Sequence, residues 1–260
     1  MTRVLSALAL LSIVICVIWF LPPFGTLILV QIILIVAFIE YSHLAALAGA
    51  PFPRVTTAVA VLGSSFAFSM ATSAFPIVLM TATVLIAVVQ LAEHPQRSML
   101  TSASAATFAI LYLAIPLGTL VKLRMSVGPE AVFLLLLTIG MSDTAQYYGG
   151  RWLGRRPLSP VISPNKTIEG AVFGFVASIF VVWLAGHWWL SEITPVFRIV
   201  LGGTIAGFGI VGDLFESNLK RIANVKDASQ LIPGHGGILD RLDSVLFAAP
   251  FYYSFIHFIR

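Results

Sequence analysis

The chain has 260 residues, of which 58% are hydrophobic and only 10% charged, and its mean hydropathy is +0.98. Those values exceed what a water-soluble globular domain carries and exclude a soluble enzyme or a nucleic-acid-binding module, the net charge of +4 notwithstanding. A single cysteine, Cys16, also excludes a disulfide framework and a Cys-based metal site.

The apolar residues fall into about nine stretches of roughly 17–25 residues, the length a helix needs to cross about 30 Å of hydrocarbon. They cover residues 5–21, 24–48, 55–71, 75–92, 103–121, 130–149, 168–190, 197–215 and 244–259. The stretches are continuously apolar and do not alternate with period two, so helices are expected rather than a barrel. The expectation is an all-α, polytopic transmembrane protein with one integral membrane domain over 1–260. Residues 1–121 supply N-terminal spans and residues 122–260 the catalytic half. The first stretch follows Arg3 as a signal peptide would, but it lacks a small-x-small pattern before Pro22-Pro23 and reads as a retained span. Pro22-Pro23 itself reads as a tight hairpin, and Cys16 as a small buried hydrophobe.

Placing the N-terminus in the cytoplasm puts every Lys and Arg inside except Lys122, Arg124, Arg198 and Arg260. Both charged loops, 150–167 and 216–243, then face the cytosol, where soluble anionic metabolites are found.

In the sixth stretch Asp143, Gln146 and Tyr147 share one helical face. An aspartate near mid-bilayer costs about 2.5–3.5 kcal/mol, less toward the membrane edge, so this one is expected at a site. Gly149–Gly154 has a spacing like a P-loop, but Arg155-Arg156 follow in place of Lys-Ser/Thr and no strand precedes it. The pairs Gly150/Gly154, Gly170/Gly174 and Gly203/Gly207 let membrane helices approach closely, which allows a homodimer without requiring one. Next, 163–170 (SPNKTIEG) opens the seventh stretch. Pro164 stops an earlier helix, Thr167 caps the next, Glu169 suits its positive dipole end, and Lys166 stands at a helix N-terminus, where anions bind.

The eighth stretch ends with Asp213, Glu216 and Lys220 on one face, and Asp240 and Asp243 stand three apart at the opening of the ninth. Between them lies SNLKRIANVKDASQLIPGHGGILDRLD, residues 217–243, which holds Lys220, Arg221, Lys226, Asp227 and Arg241. Carboxylates gathered this densely repel one another unless a hard cation neutralises them, and oxygen-only ligands suit Mg²⁺, bound jointly with substrate phosphates. The alternative is a solvated network of salt bridges. Interleaved Lys and Arg suit a phosphate-rich substrate. The turn Gly234–Gly237 exposes backbone amides that can approach a phosphate, and His235 within it can bind phosphate or relay a proton.

Ser217-Asn-Leu-Lys-Arg221, Lys226-Asp227, Ser229, Ile232-Pro233, His235-Gly-Gly237 and Asp240-Arg-Leu-Asp243 resemble the signature of the phosphatidate cytidylyltransferases, or CDP-diacylglycerol synthases. Asp143-Thr-Ala-x-Tyr147 and 163–170 resemble a second region of that family. Gln146 and Asn165 depart from it, standing where Ala and Lys are expected, and the resemblance covers about the C-terminal half.

The resemblance implies transfer of CMP from CTP to phosphatidate, with release of pyrophosphate, at a bacterial inner membrane with the active site facing the cytoplasm. It implies Mg²⁺, beside a second cation such as K⁺, on Asp213 and Asp240, with Asp143, Glu216 and Asp243 close by. Lys220, Arg221, Lys226 and Arg241 would hold CTP phosphates and the lipid head group, with Asp227 and His235 in the same catalytic loop. Lys166, Ser217, Gly236 and Gly237 would help to bind the nucleotide. Two other readings are open: a CTP-dependent polyprenol kinase, which would transfer the γ-phosphoryl group, and an ion-coupled carrier. Against the carrier, these charges gather at one surface rather than at mid-bilayer.

Overall fold

A computed structural model describes residues 12–70, 73–93, 99–231 and 236–259. Every apolar stretch named above is helical where described. Residues 12–20 form the first helical segment. It is followed by α1 (Pro23–Leu47), α2 (Arg54–Met70), α3 (Phe75–Glu93), α4 (Met99–Ser126) and α5 (Pro129–Leu153), then by α6 (Ile168–Trp189), α7 (Pro195–Ile222) and α8 (Leu239–Ile259). Pro23 opens α1 at its first helical position, where a missing N–H costs nothing, so Pro22-Pro23 is a tight turn as expected.

Among the described residues, α1, α3, α4, α6, α7 and α8 are long and apolar enough to cross a membrane, and the chain is an integral membrane protein. Six helices therefore meet the requirement where about nine were expected. Helix α2 has 17 residues, about 25 Å at 1.5 Å per residue. Helix α5 is long enough at 25 residues, but Ser142, Asp143 and Gln146 interrupt its apolar character. Of the first stretch, residues 5–11 lie outside the described residues. Cys16 is exposed on its helix rather than buried.

The chain forms two compact units, one of Met1–Met125 with Leu219–Arg241, the other of Ser126–Asn218 with Leu242–Arg260. In the first unit, α1 is tied to α4 by the Tyr41 hydroxyl, which donates to the Ala105 carbonyl at 2.9 Å amid Phe38, Phe52, Phe108 and Tyr112. Arg124 on α4 donates to the carbonyls of Ile18 (3.0 Å) and Leu21 (3.1 Å), satisfying groups that a helix end leaves open. Within α4 the segment Ile110–Ala114 is π-helical. Pro116, two residues further on, cannot donate to the carbonyl of Tyr112, and the wider turn absorbs that fault.

In the second unit, small residues set the helix contacts. A Cβ on Gly170 would stand 2.7 Å from the Gln146 carbonyl, and the Ser142 hydroxyl donates to the Gly174 carbonyl at 3.2 Å, so α5 and α6 meet backbone to backbone. Between α6 and α7 the close approach falls on Gly202, where a Cβ would lie 2.6 Å from Ile179 Cα. The expected Gly203/Gly207 pair is looser, meeting only the ends of Ile179 and Phe175. Helices α7 and α8 are joined by Phe208 stacked on Phe251 at 3.4 Å between centroids and by Phe215 against Phe247.

The loop before α6 holds an antiparallel pair not foreseen from the sequence, β1 (Pro157–Ser159) and β2 (Ser163–Thr167), with Pro157 opposite Thr167 and Ser159 opposite Ser163. It is too short and too polar to carry a strand signal of its own. Its ends are pinned by the carboxylate of Glu169, which accepts from the amides of Arg155 (3.0 Å) and Arg156 (3.2 Å).

Candidate active site

A helix rising from Pro195 reaches the far side of about 30 Å of hydrocarbon after about 20 residues, so Asp213 and Glu216 fall near the boundary where charge becomes tolerable. In the second unit Asp213 meets Asp243 of α8. Asp243 is in side-chain hydrogen-bonding contact with Asp213, and Glu216, fully buried, is the next charge it feels. The Asp243 carboxylate also accepts from the Ser244 amide at 2.6 Å. Strand β2 delivers Lys166, which forms an ion pair with Asp213. Thr167 next to it is the N-cap of α6, its hydroxyl accepting from the Gly170 amide at 3.1 Å, so Lys166 is held at a helix start as expected.

Carboxylates brought this near to one another repel unless positive charge stands between them. Their donor set, all oxygen and half-buried or buried, fits a hard divalent cation better than a soft metal. Among the described residues no group of three or more His, Cys, Asp or Glu side chains is already arranged as a metal cage. An ion of the Mg²⁺ type needs none, since it draws several of its ligands from substrate phosphates and water.

In the first unit Asp240 has partners of its own. Its Oδ1 accepts from Lys220 Nζ at 2.7 Å, and its Oδ2 accepts from the amides of Gly237 (2.7 Å) and Ala228 (3.1 Å). Gly236 has φ +81° and would place a Cβ 2.5 Å from Asp240 Oδ2, so only glycine fits there. The Gly237 amide of this turn thus donates to a carboxylate. Arg221, Lys226, Asp227 and Arg241 are exposed around this loop, with Arg221 donating to the Val225 carbonyl at 3.5 Å. His235, with 232–234, lies outside the described residues. Ser217 is half-buried on α7.

The sequence profile of the cytidylyltransferase family matches residues 1–259. The chain belongs to the cytidylyltransferase family. Curated relatives include phosphatidate cytidylyltransferases of Synechocystis (46% identical over 133 residues), Helicobacter pylori (36% over 159) and Bacillus subtilis (37% over 149). The aligned segments take in 50%, 60% and 56% of this chain and 44%, 58% and 55% of those proteins, so the chain spans about half the length of the curated relatives it matches.

In this member of the family the structure gives partners to Asp143 and Gln146, which the sequence had singled out, and adds an acid that it had not. Asp143, exposed on α5, accepts from Gln146 Nε2 at 3.2 Å, and the same nitrogen donates to Ser142 at 3.3 Å. The larger side chain at position 146 is therefore accommodated, packed in the gap left by Gly174. The acid that sequence reasoning passed over is Glu40, buried in an apolar N-terminal helix. Its rarity there was the available signal.

Proposed function

We propose that this chain transfers CMP from CTP to phosphatidate, forming CDP-diacylglycerol and pyrophosphate. The observation that carries the reading is the contact of Asp213 with both Asp243 and Lys166, with Glu216 buried one turn along α7 from Asp213, in a member of a cytidylyltransferase family. The relatives bearing the name phosphatidate cytidylyltransferase point to the same acceptor.

The phosphate oxygen of phosphatidate is already anionic and needs little help from a base. It attacks the α-phosphorus of CTP, the bond to the β-phosphate oxygen breaks, and pyrophosphate leaves with the electron pair. The barrier is the approach of two anions and the charge on the leaving group, so cationic side chains do most of what the protein must do. Asp213, Glu216 and Asp243 would hold Mg²⁺, which when bound screens the triphosphate and the leaving pyrophosphate. Lys166 is balanced by Asp213 and can be drawn toward phosphate. Lys220, placed by Asp240, and the exposed Arg221, Lys226 and Arg241 bind phosphate oxygens, with the active site on the cytoplasmic side.

Membranes containing the chain, supplied with phosphatidate and CTP labelled at either the α- or the γ-phosphate, test this. Label from the α-position in lipid is the expected result. Label from the γ-position would make the protein a lipid kinase, and ion uptake into liposomes without CTP turnover would make it a carrier; either result overturns the reading.

A further inference from the structure

Glu40 lies on α1, is 5% exposed, and belongs to the same compact unit as the 219–241 loop. Its two carboxylate oxygens take three donors from that loop. Oε1 accepts from the Ser229 hydroxyl at 2.6 Å and from the Ile238 amide at 3.0 Å, and Oε2 accepts from the Leu239 amide at 2.7 Å. The two amides are orphan donors at the start of α8, where the helix dipole also favours a carboxylate. A Cβ on Gly237 would lie 2.6 Å from both oxygens, so the chain passes Glu40 at a distance only glycine permits.

One carboxylate thus ties Ser229 to the backbone of 238–239, next to the Gly237 amide that donates to Asp240. Asp240 in turn holds Lys220. The chain of contacts runs from Glu40 through the backbone of 237–239 to Asp240 and Lys220, all within one unit.

We infer that Glu40 is a positioning residue for cytidylyl transfer: it latches Ser229 to the start of α8 so that Asp240 presents Lys220 to substrate phosphate. This rests on the reaction proposed above. Glu40 touches no reacting atom. A carboxamide cannot replace it, because one of its two acceptors would become a donor facing Leu239 N–H or the Ser229 and Ile238 donors.

The test compares full-length wild type, Glu40→Gln and Ser229→Ala in phospholipid nanodiscs by two independent measurements. The first is amide hydrogen exchange at Ile238 and Leu239. The second is steady-state kinetics with CTP and phosphatidate. The expected result for Glu40→Gln is exchange at those amides at least tenfold faster, with kcat at least tenfold lower, the KM for phosphatidate within twofold and the Tm preserved. Ser229→Ala, which keeps both amide bonds, should fall between wild type and Glu40→Gln in both measurements and stands in if Glu40→Gln does not fold. Unchanged exchange overturns the latch, and faster exchange with unchanged kcat overturns the positioning role. If wild type itself transfers no cytidylyl group, the proposed reaction fails and the positioning role with it, while the exchange data still decide the latch.

Discussion

Lys220 Nζ lies 2.7 Å from Asp240 Oδ1, joining the last turn of α7 to the first turn of α8 through side chains that are 13% and 7% exposed. A charge pair this sheltered is costly to break and cheap to replace as a whole, because removing one member strands the other in a poor solvent. Lys220→Met or Asp240→Asn alone is expected to destabilise the protein by about 3–5 kcal/mol. The double variant Lys220→Met with Asp240→Asn should cost less than the sum of the two. Denaturant unfolding in detergent measures all three, and strict additivity would show that the contact carries no coupling.

Asp213 is the carboxylate that both Asp243 and Lys166 touch. Asp213→Asn keeps the shape and removes the charge, and turnover is expected to fall by about 10²–10³-fold, as for loss of one electrostatic stabiliser in other enzymes. Chelation of divalent ions should abolish lipid-linked cytidine formation in wild type, and added Mg²⁺ should restore it there but not in the variant. Full turnover in excess chelator would remove the ion from the proposal, and titrating K⁺ over that background tests for a second cation.

Neighbouring glycines on α7 should respond differently to the same methyl group. At Gly202 a Cβ would stand 2.6 Å from Ile179 Cα and 3.0 Å from the Ser178 carbonyl, and it would strain the 2.6 Å bond from the Ser178 hydroxyl to the Gly202 carbonyl. Gly202→Ala should therefore cost about 1–3 kcal/mol as overpacking. Gly203→Ala meets only Ile179 Cδ1 at 4.0 Å and should stay within about 0.5 kcal/mol of wild type. Thermal unfolding of the pair in one detergent compares them directly, and equal losses would contradict the packing described.

Lys226 is exposed on the catalytic loop and belongs, in the proposed reaction, to the capture of CTP rather than to its chemistry. Lys226→Ala should raise the KM for CTP severalfold with kcat little changed. Because exposed charges are screened over about 8–10 Å at 0.1–0.15 M salt, raising the ionic strength should weaken CTP capture by wild type and narrow its gap to the variant. Initial rates at two salt concentrations check both statements.

Local sequence was enough to find the helices, since continuous apolar runs, Pro22-Pro23 and the Thr167 cap are each read from a few adjacent residues. It was weaker on which runs could span: α5 is as long as α1, yet the polar face of Ser142, Asp143 and Gln146 sets it apart. Helical periodicity put Asp213 and Glu216 on one face of α7 and Asp240 and Asp243 three apart at the start of α8, but the contact of Asp213 with Asp243 and the bond from Lys220 to Asp240 were not distinguished from the other pairings of these acids. The glycine turn was recognised, and the bond from its Gly237 amide to Asp240 was not, since a bare amide suits a carboxylate as well as a phosphate.

Composition and apolar run length alone determined that this is a helical membrane protein, because burying a polar group in hydrocarbon is penalised wherever in the chain it occurs. Only the tertiary structure decided which charge meets which. Glu40 bonds an amide 198 positions away, and Lys166 rather than a residue of its own helix balances Asp213. Such pairings depend on how distant segments pack, and no local pattern of residues encodes them.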